Sequence, residues 1–233
     1  MDIAEKTLQL KQDFDDVYEA GKKSQYDFFW DNYQDYGNRG DYSHAFTSEY
    51  WNNDTLLPKY DIIVNGSADR MFMNVQGAKR RPLDLVDLLE KQGRKLDFKG
   101  CTRFYYAFYW AYIKRLGTID MTSSTTNDFV FETPILQTIE KLIVNENTPF
   151  ASRSFHATSL TNINEIEGHF GKNMTFAQCP LTKASITNVV NALSDTTSGL
   201  TCTFNKTAKE SAFATEEWAA LIATKPNWSF SLI

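Results

Sequence analysis

Few of the residue types that do chemistry fall into a pattern that active sites use. The chain has three histidines, His44, His156 and His169, and none belongs to a metal-binding motif. The sequence also has no Gly-rich phosphate-binding loop. No Gly-x-Ser-x-Gly sequence marks a nucleophilic serine. The carboxylates are numerous but scattered, and spacing alone does not define a glycosidase pair among them. We therefore expect a protein that is not an enzyme.

The cysteines give no sign of a metal site or a disulfide framework. There are three of them, Cys101, Cys179 and Cys202, which is an odd number, and no two have the close spacing of zinc ligands. We expect buried thiols that behave as small apolar side chains. The sequence predicts no metal and no cofactor.

The overall charge argues against several classes of partner. The net charge is −5, and the richest basic cluster is the short run Lys79, Arg80 and Arg81, so we expect no nucleic-acid partner. The acidic first sixteen residues lack the basic start and apolar run of a signal peptide. No apolar stretch approaches the ~20 residues of a membrane-spanning helix. We therefore expect no membrane insertion and no export by the general secretory route.

An aromatic run at 104–116, FYYAFYWAYIKRL, is the best candidate for a binding site. Phe104, Phe108 and Ile113 fit core positions, which leaves too many large rings for all of them to be buried. Exposed aromatic side chains beside polar residues suit a sugar face or a protein partner. The alternative is that most of these rings pack in the interior. The candidate ligand-binding residues are Tyr105, Tyr106, Tyr109, Trp110 and Tyr112.

The positions of the apolar residues around this run recur along the chain. Three segments, beginning at Phe108, Phe131 and Phe155, share apolar residues at offsets of five, eight and eleven, and a fourth begins at Phe176. A proline such as Pro134 inside the segment costs ~3 kcal/mol in a helix, so a helical interpretation is disfavoured. We predict an α+β solenoid of irregular repeats of 21–24 residues with short strands. The predicted repeat core comprises Phe108, Ile113, Leu116, Ile119, Phe131, Leu136, Ile139, Leu142, Phe155, Leu160, Ile163, Ile166, Phe176 and Leu181.

The pattern F-x4-L-x2-I-x2-I resembles BspA-type leucine-rich repeats, a class found on bacterial surface proteins and in bacteriophages. The segments at 28–46 and 207–233 resemble the two ends of the phage and prophage versions, which lie among tail genes. The resemblance implies a repeat fold and a virion protein, and it supplies no catalytic residue. The insertion at 77–100 departs from the family pattern.

Three parts are predicted from these patterns. Residues 1–36 form an N-terminal helix and an aromatic cap, 37–199 form the solenoid with a helical insertion at about 82–92, and 200–233 form a strand–helix–strand C-terminal cap. The heptad spacing near the N-terminus indicates either a short seam between subunits or a helix packed on its own domain. The acidic, aromatic segment 26–36 either closes the open end or binds a partner. The oligomer seam would consist of Ile3, Leu10, Phe14 and Val17.

We expect a non-enzymatic binding or structural protein of a bacteriophage virion, associated with the tail, that recognises a host-surface glycan or protein. It would be assembled in the bacterial cytoplasm. One alternative is a decoration or assembly protein that binds only other virion proteins. Another is an adhesin on the surface of the bacterium itself. The N-terminal helix would allow a homo-oligomer.

Overall fold

The computed structural model describes residues 12–13, 16, 42–43, 61–73 and 83–233. The chain divides into two compact units, Met1–Arg39 and Gly40–Ile233. In the first unit the described residues are helical, and Gln12 Nε2 donates a hydrogen bond to Asp16 Oδ1 at 3.2 Å. The predicted oligomer seam and the aromatic segment 26–36 lie outside the described residues.

The described part of the second unit contains nine strands and four helices. All strand pairs are parallel, and they form sheets in the orders β1-β3, β2-β4-β5-β6 and β7-β8-β9. The strands are β1 Ile62–Ile63, β2 Leu83–Asp84, β3 Leu96–Asp97, β4 Ile113–Asp120, β5 Thr138–Ile143, β6 Asn162–Glu167, β7 Met174–Phe176, β8 Leu200–Phe204 and β9 Trp228–Leu232. The helices are α1 Leu85–Lys91, α2 Lys183–Asn191, α3 Lys206–Ala212 and α4 Thr215–Ala223.

The predicted solenoid of irregular repeats is wrong. The described residues form an α+β domain with three short parallel sheets and four helices. The central sheet stops at both edges. At one edge β2 contributes only two residues, and its register shifts between Leu83 and Asp84. At the other edge the helix α2 packs against β6.

Side chains of α2 close the edge of β6. Ser185 Oγ accepts a hydrogen bond from the backbone N–H of Ile163 at 2.9 Å. Asn188 Nδ2 donates to the carbonyl oxygens of Ile163 and Asn164 at 3.0 and 2.9 Å. An edge strand needs partners for its backbone groups. Because two helical side chains satisfy part of this need, the central sheet ends at β6.

The long strands of the central sheet pair through the recurring apolar positions. Leu116 lies opposite Ile139, and Ile139 lies opposite Ile163. All three side chains are buried. Three residues later Leu142 pairs with Ile166, but Ile166 is only half-buried, contrary to its assignment to the core. The other predicted core residues are buried, namely Phe108, Ile113, Ile119, Phe131, Leu136, Leu142, Phe155, Leu160, Phe176 and Leu181.

A row of phenylalanine rings forms the centre of the core. Phe108 stacks on Phe131 with the ring centroids 5.7 Å apart and the planes 8° from parallel, and Phe131 stacks on Phe155 at 5.2 Å. A further ring adjoins each end of the row: Phe72 lies 5.3 Å from Phe108, and Phe176 lies 4.6 Å from Phe155. Large flat side chains bury much apolar surface in this arrangement. This phenylalanine row therefore explains why so many of the aromatic residues recur at a fixed spacing.

The helix predicted at 82–92 is present as α1. Asp84 caps it, because its Oδ1 accepts the backbone N–H of Asp87 at 2.9 Å. Leu85 and Leu89 form its buried side. The chain leaves the helix through Gly93, which has a φ of +58°, a conformation that glycine adopts without strain.

The C-terminal region contains one more helix than predicted. The strand at 200–204 and the helix at Thr215 are present, but α3 lies between them. Asn205 caps α3 by accepting the backbone N–H of Ala208 at 2.9 Å. Trp218 on α4 makes edge-on contacts with Phe204 and Phe230, both at 5.9 Å between centroids. The helix α3 is too short to show the long apolar period from which a helix is predicted in a sequence.

Candidate functional site

Five aromatic side chains gather where two chain segments run side by side before β4 and β5. They are all half-buried, and they make ring contacts with one another. We call this cluster the aromatic patch: Tyr105, Tyr106, Tyr109, Trp110 and Phe129. Tyr112, the remaining predicted ligand-binding residue, is half-buried and makes no ring contact with any described aromatic residue. Tyr112 is therefore not part of the patch.

The rings of the patch support one another closely. Tyr106 lies parallel to Phe129, with centroids 4.6 Å apart and planes 3° from parallel. Tyr105 and Tyr109 stand almost perpendicular to Tyr106, at 4.3 and 4.7 Å. Offset-parallel and edge-on pairs are the favourable geometries for aromatic rings. Such contacts hold each ring in one orientation, so a ligand would meet a surface that is already organised.

Two arginines lie at the ends of the parallel pair. The guanidinium of Arg70 lies 5.8 Å from the centre of the Tyr106 ring, and that of Arg153 lies 5.3 Å from the centre of the Phe129 ring. These are cation–π distances. The order along this row is Arg70, Tyr106, Phe129 and Arg153. A guanidinium group therefore lies over each ring of the parallel pair.

The backbone of the patch adopts a conformation that side chains disfavour. Four non-glycine residues in the described part of the chain have positive φ: Arg70 at 55°, Tyr106 at 57°, Trp110 at 54° and Phe129 at 57°. A β-carbon in this region costs roughly 1–2 kcal/mol, and bulky residues are rare there. Three of the four belong to the patch, and Arg70 contacts it. Glycine or asparagine would adopt the same turns with less strain. The aromatic and arginine side chains at these positions are therefore not explained by the backbone conformation.

A buried carboxylate lies beside the patch. Glu132 is 6% exposed, and its Oε1 accepts a hydrogen bond from Arg153 Nη2 at 2.6 Å. Its backbone oxygen accepts the N–H of Trp110 at 2.8 Å. Glu132 Oε2 and Trp110 Nε1 are buried and lack a hydrogen-bond partner in the described structure. Unsatisfied buried polar atoms are rare in folded proteins, and here two of them adjoin the same cluster.

A second arginine has the same relationship to a shielded carboxylate. Arg103 Nη2 lies 2.6 Å from Asp69 Oδ2, and the side chains are 55% and 14% exposed. Asp69 Oδ1 also accepts the backbone N–H of Tyr105 at 3.0 Å.

Burial and, to a smaller extent, a hydrogen bond with Tyr105 raise the pKa of the Tyr106 phenol. The Tyr106 phenol is therefore protonated at neutral pH.

The described histidines and cysteines lie at separate places in the fold. His156 Nδ1 is 3.9 Å from Glu132 Oε1, His169 is exposed, and His44 lies outside the described residues. Burial raises the pKa of the Cys101 and Cys179 thiols to about 12 and raises that of Cys202 as well. All three cysteines are buried and free. Among the residues that the structure describes, no group of three or more metal ligands comes together.

No helix in the described ranges combines the length and the apolarity required to cross a bilayer.

The sequence prediction missed three contributors to this surface. Arg70, Phe129 and Arg153 each stand two residues before a core phenylalanine, as Tyr106 does. The same recurrence that locates the core therefore also locates this row, although no single segment shows it. The pairing of Glu132 with Arg153 has no comparable signal, since it depends on how neighbouring segments lie side by side.

No family model, curated protein or solved structure matches the chain.

Proposed function

We propose that the protein is a non-enzymatic binding protein that uses the aromatic patch to contact another protein. The single observation that supports this most strongly is the positive φ of Tyr106, Trp110 and Phe129. Residues held in strained backbone conformations cluster at functional sites. Large aromatic side chains at such positions are costly for folding, and binding provides a reason to keep them.

The chemistry of the surface fits a protein ligand better than a sugar. Sugar rings stack on free aromatic faces, but Tyr106 and Phe129 cover each other, and Arg70 and Arg153 lie over them. The rest of the surface consists of the rings of Tyr109 and Trp110, phenol groups and guanidinium groups. Tyrosine, tryptophan and arginine are the residues that dominate the energetics of protein–protein interfaces. Their fixed orientations reduce the entropy lost on binding.

The proposed setting is a bacteriophage virion, with the protein associated with the tail and the patch directed at a host-surface protein. This part rests on the resemblance of the segments at 28–46 and 207–233 to phage proteins. An assembly protein that binds only other virion proteins would use the same patch, so the experiment must separate the two.

The test compares binding of fluorescently labelled protein to a panel of bacterial strains. The double variant Tyr105→Ala, Tyr109→Ala removes two rings at positions without positive φ, and Tyr112→Ala is the matched control outside the patch. We expect saturable binding that the double variant loses and the control keeps, and that protease treatment of the cells abolishes. Loss on periodate treatment alone would instead identify a glycan ligand.

A second measurement addresses virion assembly. Immunogold electron microscopy of purified virions carrying each variant would show whether the protein is incorporated. Normal incorporation of the double variant, together with lost cell binding, supports receptor recognition. Failure of the double variant to be incorporated would assign the patch to virion assembly, and unchanged behaviour in both measurements would contradict the proposed role of the patch.

A further inference from the structure

The C-terminal sheet has an open edge at β9. Its strands run in the order β7-β8-β9, and no described strand pairs with the outer edge of β9. Ile233 faces β8, because its N–H donates to the carbonyl oxygen of Phe204 at 3.1 Å and its own carbonyl accepts the N–H of Lys206 at 2.8 Å. Successive residues of a strand direct their backbone groups to opposite edges. The backbone groups of Phe230 and Leu232 therefore face the open edge.

Strand β9 lacks the features that normally protect an open edge. Its sequence, WSFSL, contains no charged residue and no proline, and its register with β8 has no bulge. Natural edge strands are commonly kept from pairing by lysine, proline or a bulge. The rings of Trp228 and Phe230 and the side chain of Leu232 alternate with two serines. A flat, apolar edge of this kind is a template for another strand.

The residue pattern of β9 is the same in both directions. Large apolar residues stand at its two ends and at its centre, with a serine between each pair. In an antiparallel pair centred on Phe230, the ring of Phe230 lies opposite its own copy. Trp228 then lies opposite Leu232 of the second copy, and Ser229 lies opposite Ser231. The apolar side chains share one face, the hydroxyl groups share the other, and no like charges meet, so the strand that fits this edge is β9 itself.

Helix α4 lies where such a pairing would bring two helices together. Trp218 on α4 contacts Phe204 on β8 and Phe230 on β9 at the same distance, 5.9 Å between ring centroids. The helix therefore lies over the boundary between the last two strands. A two-fold axis between paired β9 strands would place the copy of α4 about two strand spacings away, roughly 10 Å. Packed helices lie at this distance.

The side of α4 that faces the open edge carries small residues. On the other side Glu217 reaches α2, where its Oε2 lies 2.8 Å from Lys183 Nζ. Ala219 and Ala223 lie roughly 200° and 240° around the helix axis from Glu217, on the side away from α2. Both alanines are exposed. Small side chains four residues apart allow a second helix to approach closely.

We propose that β9 and α4 form the interface of a symmetric dimer with a second copy of this chain. The two β9 strands join the C-terminal sheets of both copies into one sheet, and each α4 packs antiparallel on its copy. Hydrogen bonds along the open edge and burial of apolar side chains stabilise the dimer. This interface is independent of the aromatic patch and of the function proposed for it, and it differs from the seam predicted in the N-terminal helix.

The test is sedimentation equilibrium of the full chain over a range of concentrations. We expect a mass that rises from one chain to two. Ala219→Glu should weaken association roughly tenfold or more, because it places an unpaired charge in the interface. Ala220→Glu is the matched control, since Ala220 is also exposed but lies about 60° around the helix from Glu217, away from the second helix. Mixing the Ala219→Glu chain with an Ala223→Lys chain should restore association, because these positions oppose each other in an antiparallel pair.

A second pair of variants tests the strand edge. Leu232→Pro removes an N–H that faces the open edge, a position where the monomer tolerates proline, and it should abolish the dimer. Leu232→Ala shortens the same side chain, keeps the N–H and should still dimerise. Circular dichroism checks that each variant is folded, and if Leu232→Pro is not, the comparison of Ala219→Glu with Ala220→Glu decides. A mass of one chain throughout, or a dimer that Ala219→Glu leaves intact, would overturn the proposal.

Discussion

Arg153 forms its ion pair with a carboxylate that lies beneath it. The Arg153 side chain is 51% exposed, whereas the Glu132 side chain is only 8% exposed, and Arg153 Nη2 lies 2.6 Å from Glu132 Oε1. The arginine therefore neutralises a charge that solvent hardly reaches. Removing one partner of such a pair is more costly than the pair itself is stabilising.

The variant Arg153→Met should consequently destabilise the fold. It keeps an apolar stem over Phe129 but leaves the Glu132 carboxylate without its donor, and we expect a loss of about 1–3 kcal/mol in the free energy of unfolding. Adding Glu132→Gln should restore part of the loss, as measured by urea denaturation in a double-mutant cycle. Lys91→Met is the control, since Lys91 and its ion-pair partner Asp87 are 67% and 52% exposed and solvent screens their attraction. Equal losses in Arg153→Met and Lys91→Met would contradict this account.

The phenylalanine row should be the most sensitive part of the core. Phe131 is fully buried and lies between Phe108 and Phe155. Phe131→Ala leaves a cavity in the middle of the row, and we expect a loss of about 3–5 kcal/mol. Phe150→Ala, at a half-buried ring, should cost less in the same urea titration. A smaller loss at Phe131 than at Phe150 would show that the row does not bear the stability assigned to it.

Gly168 should not tolerate a side chain. It has a φ of +87°, and a β-carbon there would lie 2.0 Å from the carbonyl oxygen of Val144. Gly93 has a φ of +58° with nothing within 4 Å of its β-carbon. Alanine at either position meets the same kind of backbone strain, of roughly 1–2 kcal/mol. Gly168→Ala should lose about 1–3 kcal/mol more stability than Gly93→Ala, because its β-carbon overpacks against Val144. Thermal unfolding of the two variants measures the difference. Equal stabilities would show that the contact is absent.

The stability of the central sheet should depend on pH through Glu140. The hydrogen bond from Arg115 holds the pKa of Glu140 below its ordinary value of 4.5. A carboxyl with a lowered pKa in the folded state stabilises the fold above its ordinary pKa, and this stabilisation is lost as the pH falls through the lowered value. Glu140→Gln should therefore be less stable than the wild type at pH 7, by about 0.5–1 kcal/mol. The difference should begin to shrink near pH 4.5 and vanish once the pH is below the lowered pKa of Glu140.

Urea titrations at several pH values measure this difference. Glu216→Gln is the control, because Glu216 is exposed on α4 and forms no ion pair in the described structure. A difference between Glu140→Gln and the wild type that stays constant down to acidic pH would show that the carboxylate charge is not responsible.

The sequence predicts the core well and the aromatic patch only in part. The recurring offsets identify Phe131, Ile139 and Leu142 as interior residues, because a fixed period assigns the same face of successive segments to the core. The run at 104–116 identifies four members of the patch. The fifth, Phe129, comes from another segment, and only its position two residues before a core phenylalanine marks it in the sequence.

The division into separate sheets could not be predicted from the recurring offsets. Up to Phe176 and Leu181 the fourth segment keeps the apolar pattern, and both residues are buried as expected. The difference arises in the next residues, where Thr182 caps α2 and Ser185 accepts the backbone N–H of Ile163. A helix and a strand can offer similar apolar residues to one core, so local pattern does not decide between them.

The sequence by itself determined most of the residues that are inside, since burial of apolar side chains depends on composition and period along the chain. Only the tertiary structure decided which surface residues meet. Arg70 reaches Tyr106 and Arg153 reaches both Phe129 and Glu132 because neighbouring segments lie side by side in one register. Contacts between residues more than twenty positions apart depend on the closure of the whole fold, which local preferences do not specify.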